Sequence, residues 1–203
     1  RDEAKDLAAH LDLDKVFVQL NRMVSAILNT HPAEGVLQTE TGLAQAKGQP
    51  FDPARLERFQ AFANYLKNLP LTKNAYTYSG AGWRNLSFFE SYFSNYIEGS
   101  EFTIEEAEKI VFEKETIYGR HADSHDVLAH MDITSDMSEM KRVPMTSFEL
   151  ISLLKIRHKL LLAERPDKRP GEFKEKANQA GNTQFVLPAY VEGTLVQGFK
   201  IYQ

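Results

Sequence analysis

Residues 83–99 read WRNLSFFESYFSNYIEG, a run in which aromatic and aliphatic side chains recur at helical spacing and then stop at a glycine. The pattern predicts a helix that ends near Glu98. Gly99 can adopt the left-handed backbone conformation that stops a helix. Glu98 would then lie at the C-terminal end, where the helix dipole disfavours a carboxylate, and we expect a cation from outside the helix to stabilise it.

Ser94 precedes Glu98 by four residues, so both side chains are expected on one face of this helix. The aromatic side chains of the same helix are expected to pack in the core rather than to form a cofactor site. They are Phe88, Phe89, Tyr92, Phe93 and Tyr96.

Helical periodicity also dominates on either side of this stretch, which predicts a mainly α fold. Further helices are predicted at about 3–29 with a break at 12–14, and at 53–67, 103–115, 147–163 and 195–203, with another from Asp123. The 53–67 helix is expected to bury Leu56, Phe59, Phe62 and Leu66. Residues 183–192 are rich in β-prone side chains and predict extended chain, in the form of a small β-hairpin.

The composition narrows the classes of function. A chain of 203 residues, 42% hydrophobic, fits one globular domain or a domain with a smaller lobe. A net charge of −4 without a basic arm argues against nucleic acid as the main partner. With no cysteine there is no thiolate chemistry or disulfide, which is compatible with the cytoplasm. No apolar run reaches the roughly 20 residues of a membrane span, so no membrane partner is expected.

A second motif follows the predicted 147–163 helix. It reads PGEFK at 170–174 and is followed by GNTQFVLP at 181–188. With Ser94-x-x-x-Glu98-Gly99, these segments resemble the Fic family, in the order inhibitory Ser/Thr-x-x-x-Glu-Gly/Asn motif, long helix, Pro-Gly-x-Phe-Arg/Lys and β-hairpin flap. The resemblance implies a Fic-like helical bundle with a small flap. It also implies a protein adenylyltransferase, a nucleotidyltransferase that moves AMP from ATP to a Ser, Thr or Tyr hydroxyl of a target protein (AMPylation).

The resemblance assigns roles by position. Ser94, Glu98 and Gly99 match the inhibitory motif, whose glutamate pairs with a catalytic arginine and takes the space of the ATP γ-phosphate. Nucleotide binding is expected at Glu98 and at the segment Ala180, Gly181, Asn182 and Thr183, where Gly181 leaves room for close approach. The target protein is expected to dock by main-chain pairing along the flap residues Thr183, Gln184, Phe185, Val186 and Leu187.

The family's catalytic motif, His-x-Phe-x-Asp/Glu-Gly-Asn-Gly-Arg-x-x-Arg, does not occur in these 203 residues. We therefore expect no catalytic residue in this chain, no activity of this piece alone, and truncation rather than degeneration. The Mg²⁺ ligand is expected outside the chain as well. Residues 1–80 are predicted to be an N-terminal helical region and 81–203 the first part of a Fic-like domain, with the inhibitory helix at 83–99 and the flap at 181–192.

Two readings from other classes stay open. The cluster of His and Asp between His121 and Asp132 could bind a metal. Helix caps at Asp123 and Ser124 are the commoner explanation, so no metal site is expected. The chain could also be a non-catalytic helical interaction module that holds a partner through the aromatic helix 83–98 or through the exposed strand. The sequence leaves the oligomeric state open; a homodimer is one assembly that the resemblance allows, because Fic relatives often form dimers.

Overall fold

The computed structural model describes residues 2–70, 72 and 79–203. Within these ranges the protein is mainly helical with one two-stranded antiparallel sheet, which confirms the predicted fold class. The chain divides into two compact units. Unit 1 comprises residues 1–68 and 174–203, and unit 2 comprises residues 69–173. The predicted boundary at residue 80 had assigned residues 174–203 to the second region, whereas they pack with the N-terminal residues.

The elements follow one another in this order: α1 Asp2–His10, α2 Asp14–Ile27, α3 Glu40–Ala46, α4 Pro53–Lys67, α5 Ala81–Ile97, α6 Ile104–Glu108, α7 His121–Ser135, α8 Met137–Met140, α9 Ser147–Leu161, β1 Gln179–Ala180, β2 Thr183–Gln184 and α10 Val191–Tyr202. A π-helical turn, Lys109–Glu113, continues α6, and 3₁₀ turns lie at Pro166–Lys168 and Pro188–Tyr190. Among the described helices, none is long and apolar enough to cross a bilayer.

Local signals in the sequence set several helix starts. Asp52 caps α4 by accepting a hydrogen bond from the Arg55 backbone N–H at 3.1 Å, with Pro53 in the first turn, as predicted. Thr103 and Glu106 form the predicted capping box at the start of α6. The helix that was predicted to run to residue 115 ends earlier, because Lys114 adopts a left-handed conformation (φ +58°) after the π-helical turn.

In unit 1 the backbone of α10 lies very close to the backbone at Pro50. A Cβ atom added at Gly193 would lie 2.1 Å from the carbonyl oxygen of Pro50, so only glycine fits there. One residue on, the Thr194 hydroxyl accepts a hydrogen bond from the Asp52 backbone N–H at 2.9 Å. These contacts hold α10 against the start of α4. The predicted helix start near residue 195 was late, since α10 begins at Val191.

The predicted apolar stripes of unit 1 are largely exposed. In α4, Phe59, Phe62 and Leu66 are all more than 40% exposed, so the predicted burial was wrong there, and only Leu56 is half-buried. The stripe of α1 and α2 is exposed in the same way, and its members are Leu7, Leu11, Val16, Leu20, Val24 and Ile27. The helical periodicity therefore predicted these helices correctly. It did not predict whether another element covers their apolar faces.

Unit 2 has the larger apolar core. Its buried members come from α5, α6 with its π-helical extension, α7 and the loop before α6; they are Phe88, Phe102, Ala107, Ile110, Val111, Val127 and Met131. The aromatic flank of α5 divides between two environments. Phe88 is buried and Tyr92 is partly buried, whereas Phe89, Phe93 and Tyr96 are each about two-fifths or more exposed. The prediction that the whole flank packs in the core was wrong for those three side chains.

Small polar side chains join α5 to α7. The Ser91 hydroxyl is fully buried and donates to the Val127 carbonyl oxygen at 2.6 Å. Ser87, one turn earlier, donates to the Thr134 carbonyl oxygen at 3.0 Å. Serine side chains are small enough to let two helix backbones come close, and their hydroxyls find partners on the neighbouring helix rather than in water.

Replacing Ser91 by Leu should destabilise unit 2 by about 2–4 kcal/mol, because the larger side chain must be forced between two helices and the buried hydrogen bond is lost. The measurement is urea unfolding followed by the fluorescence of Trp83, the single tryptophan, which lies in unit 2. Ser94→Leu, on the same helix but half-buried, is the matched control and should cost less than about 1 kcal/mol. Equal losses in the two variants would contradict the proposed role of Ser91.

Candidate functional site

The end of α5 is closed by the hydrogen-bond pattern that glycine-stopped helices use. The Ser100 backbone N–H donates to the Asn95 carbonyl oxygen at 3.0 Å, and the Gly99 N–H donates to the Tyr96 carbonyl oxygen at 3.1 Å. Gly99 has φ +97°, a conformation that L-residues rarely adopt. The predicted role of Gly99 as the helix stop is confirmed, and Glu98 is the last residue before it.

The Glu98 side chain is exposed, and its carboxylate makes no hydrogen bond or ion pair with a described residue. Its negative charge does reach His130 on α7. Burial lowers the pKa of His130, and the charges of Glu90 and Glu98 oppose that effect without overcoming it. The imidazole is thus kept mainly neutral and does not supply the cation expected for Glu98.

Asn95, rather than Ser94, connects this motif to the core. Its side-chain amide donates to the Ser91 carbonyl oxygen at 2.9 Å and lies 3.4 Å from Nδ1 of His130. Ser94 is half-buried, and its hydroxyl makes no hydrogen bond to a described residue, so it does not tie the helix to the core in this way. Ser87, Ser91 and Asn95 recur every four residues, a spacing that places these polar side chains on one face of the helix and is readable in the sequence.

A charged network links the loop after Glu98 to the loop after α9. The Arg120 guanidinium donates to the Glu101 carbonyl oxygen, stacks over the Phe102 ring at 3.7 Å and bonds Asp123. Arg165 in turn bonds Asp123, at 2.6 Å. Burial disfavours the charged form of Asp123, but hydrogen bonds from the two arginines and their charges hold its pKa below the ordinary value.

Asp123 and Ser124, which were predicted to cap α7, take part in this network instead. The α7 helix begins at His121, so Asp123 and Ser124 lie inside its first turn. Ser124 is buried and donates to the Arg120 carbonyl oxygen at 2.7 Å. Asp126 accepts from Arg165 through one oxygen. Its other oxygen lies 3.8 Å from Nδ1 of His125, and neither of these buried atoms makes a hydrogen bond to a described residue. In the described ranges no three His, Asp or Glu side chains are arranged to hold a metal ion.

The PGEFK segment is held against α9. Gly171 has φ +84°, and a Cβ atom there would lie 3.2 Å from Cβ of Lys159, so both conformation and space favour glycine. Its backbone N–H donates to Nδ1 of His158 at 2.9 Å. The Lys155 ammonium lies 4.8 Å from the centre of the Phe173 ring, a cation–π contact. The glycine and the phenylalanine of this motif therefore both have roles in packing.

The predicted flap is a short hairpin in unit 1. Ala180 pairs with Thr183 and Gln179 with Gln184, and Gly181 (φ +54°) with Asn182 forms the turn. The Phe185 N–H extends the ladder to the Asn178 carbonyl oxygen at 3.1 Å. Unlike the predicted flap of 181–192, the hairpin starts at Gln179, and Val186 and Leu187 are not in a strand. Pro188 opens a 3₁₀ turn that leads directly into α10, which ends the extended chain.

Arg55 of α4 contacts this hairpin from outside. Its Nη2 atom donates to the Gln184 carbonyl oxygen at 3.0 Å. The Lys174 ammonium lies 5.6 Å from the Phe185 ring centre on the same unit. One of the main-chain acceptors expected to receive a target strand is thus already hydrogen-bonded. Sequence reasoning had no means of pairing Arg55 with Gln184, which stand 129 positions apart.

Comparisons with protein-family models, with curated proteins and with solved structures gave no match to this chain.

The lowered pKa of His130 predicts a pH dependence of stability. The folded state keeps this imidazole neutral down to a lower pH than the unfolded state does. The contribution of His130 to the unfolding free energy is therefore complete above the ordinary histidine pKa of about 6.5. It is lost as the pH falls below that value towards the lowered pKa. The unfolding free energy should therefore decline between pH 7.5 and pH 5.5, and less steeply in His130→Gln.

Urea unfolding at several pH values, followed by Trp83 fluorescence, measures this slope. His10, an exposed histidine at the end of α1, provides the control, and His10→Gln should change the slope less than His130→Gln does. A slope unchanged by His130→Gln would show that other groups cause the dependence.

Proposed function

We propose that this chain is the regulatory and target-docking part of a Fic-family protein adenylyltransferase, an enzyme that transfers AMP from ATP to a hydroxyl side chain of a target protein. Glu98 acts as an intramolecular brake on that transfer. ATP is the substrate, and the catalytic histidine and the Mg²⁺ ligand belong to a motif that these 203 residues do not contain. The proposed setting is the cytoplasm.

The observation that carries the proposal is the state of Glu98. Its carboxylate is exposed at the C-terminal end of a 17-residue helix, directly before the stop at Gly99. The helix dipole disfavours a negative charge at this position. Since no described residue forms an ion pair with it, the carboxylate is available to a cation from elsewhere. A catalytic arginine that needs to be blocked is such a cation.

The anchoring of α5 supports a brake that works by position. Hydrogen bonds from Trp83, Ser87 and Ser91 to carbonyl oxygens of α7 limit movement of this helix relative to α7. Glu98 is therefore presented from a fixed support rather than from a loose loop. With the carboxylate on the arginine, the γ-phosphate would be displaced and the α-phosphate would leave its line with the incoming hydroxyl. A misplacement of about 1 Å costs on the order of a hundredfold in rate.

The hairpin fits the proposed docking of a target. Its strands are short and exposed, and their main chain can pair with extended chain of any sequence. Docking at Gln184 requires Arg55 to release the carbonyl oxygen that it holds. The positions Ala180 to Thr183, which form the tip of the hairpin, are the proposed nucleotide-facing residues.

In the full-length gene product, Glu98→Gly and Glu98→Gln should raise transfer of labelled AMP to protein by roughly ten- to a hundredfold, because both remove the charge that blocks the arginine. Transfer from α-labelled ATP, resolved by gel electrophoresis, measures the effect. Glu101→Gln removes a carboxylate three residues away in the following loop and should leave labelling near that of the parent.

Two results would count against the proposal in different ways. Labelling that does not rise in either Glu98 variant contradicts the brake but leaves the transferase reading standing. Absence of labelling with every nucleoside triphosphate, in parent and variants alike, contradicts the transferase reading itself.

A second candidate function is a non-catalytic interaction module. It is favoured by the outer face of α5, where Phe89 and Phe93 are exposed and Ile97 is 82% exposed. Exposed aromatic faces of this kind are common at protein interfaces. The natural gene product separates the two candidates, since a His-x-Phe-x-Asp/Glu-Gly-Asn-Gly-Arg string in it favours the enzyme.

A further inference from the structure

Unit 2 contains a cleft of about 450 Å³, which α5 lines through Trp83, Leu86, Ser87 and Glu90. It lies among α5, α7, α8 and α9, and its volume is in the range of small-molecule sites. The walls are mainly apolar, built by Trp83, Leu86, Ile133, Met140 and Leu161. The Trp83 ring is fixed in place because its indole N–H donates to the Ser135 carbonyl oxygen at 2.9 Å.

Three ionisable side chains line the cleft, and two of them have partners within the protein. Arg157 pairs with Glu139, whose carboxylate lies 2.9 Å from its Nε atom and whose carbonyl oxygen accepts from Nη2. The same carboxylate lies 3.7 Å from Nη1 of Arg142. His130 faces the Asn95 amide nitrogen, so its Nδ1 is an acceptor and the ring is neutral with its proton on Nε2. Burial favours the same neutral form by lowering the pKa of His130.

Glu90 is the third, and its carboxylate makes neither a hydrogen bond nor an ion pair with a described residue. It is exposed at the edge of the cleft, where its negative charge attracts a positive group although contact with water weakens that attraction. An apolar body would meanwhile replace water against Trp83 and the aliphatic walls.

We propose that this cleft binds a small organic monocation with an apolar body, of the arylalkylamine class, with its ammonium on Glu90 and its ring against Trp83. The proposal does not depend on the proposed transferase function. A bound ligand would touch α5 two turns before Glu98, the residue proposed as the brake.

The test uses the 203-residue chain and three probes of matched size: 2-phenylethylamine, the neutral 2-phenylethanol and the anionic 3-phenylpropanoate. Because Trp83 is the single tryptophan and forms a wall of the cleft, its fluorescence reports occupancy directly. We expect saturable binding of the amine with a Kd on the order of 1 mM, and binding of the alcohol and the carboxylate at least about tenfold weaker.

Glu90→Gln should weaken binding of the amine by about tenfold and leave binding of the alcohol unchanged. Glu113→Gln, an exposed carboxylate outside the cleft, is the matched control and should bind the amine as the parent does. No saturable change with the amine up to about 20 mM overturns the proposal. So does equal binding of the three probes, a comparison made on the unaltered chain that needs no variant to fold.

Discussion

The buried hydrogen bond from the Ser91 hydroxyl to the Val127 carbonyl oxygen sets the closest approach of α5 to α7, and much of unit 2 follows from it. With the helices that near, Phe88 reaches the apolar core and Asn95 reaches His130. Ser87 and Trp83 repeat the same kind of contact towards the other end of α7. The position of Glu98 is a consequence, since a helix held at three successive turns presents its last residue from a defined place.

The elements were predictable because their signals are local. The Asp52–Pro53 start, the capping box at Thr103 and the glycine stop at Gly99 each depend on residues within a turn of one another. The environment of each helix face was not predictable in that way. An apolar stripe indicates that a helix face is favoured to be buried, but it does not indicate which element covers that face. Phe62 and Val16 are exposed although their spacing is that of a buried face.

The candidate site shows the same division. Sequence pattern located Glu98 and Gly99 and the glycine of the PGEFK segment, all of which have the local geometry expected of them. It missed the contacts that span long stretches of chain, such as Arg165 with Asp123 and Arg55 with Gln184. It also chose Ser94 where the structure uses Asn95, because helical spacing relates Ser94 to Glu98 but carries no information about which face meets α7.

The contact between Arg55 and the hairpin also affects how readily the hairpin edge pairs with strands of other molecules. A two-stranded ribbon has open edges on both sides, and unpaired main-chain groups on such edges recruit strands from other molecules without regard to sequence. The guanidinium on the Gln184 carbonyl oxygen occupies one of those groups and adds a positive charge beside it. Like molecules that meet edge to edge would bring two such charges together, and that repulsion disfavours self-association along this edge.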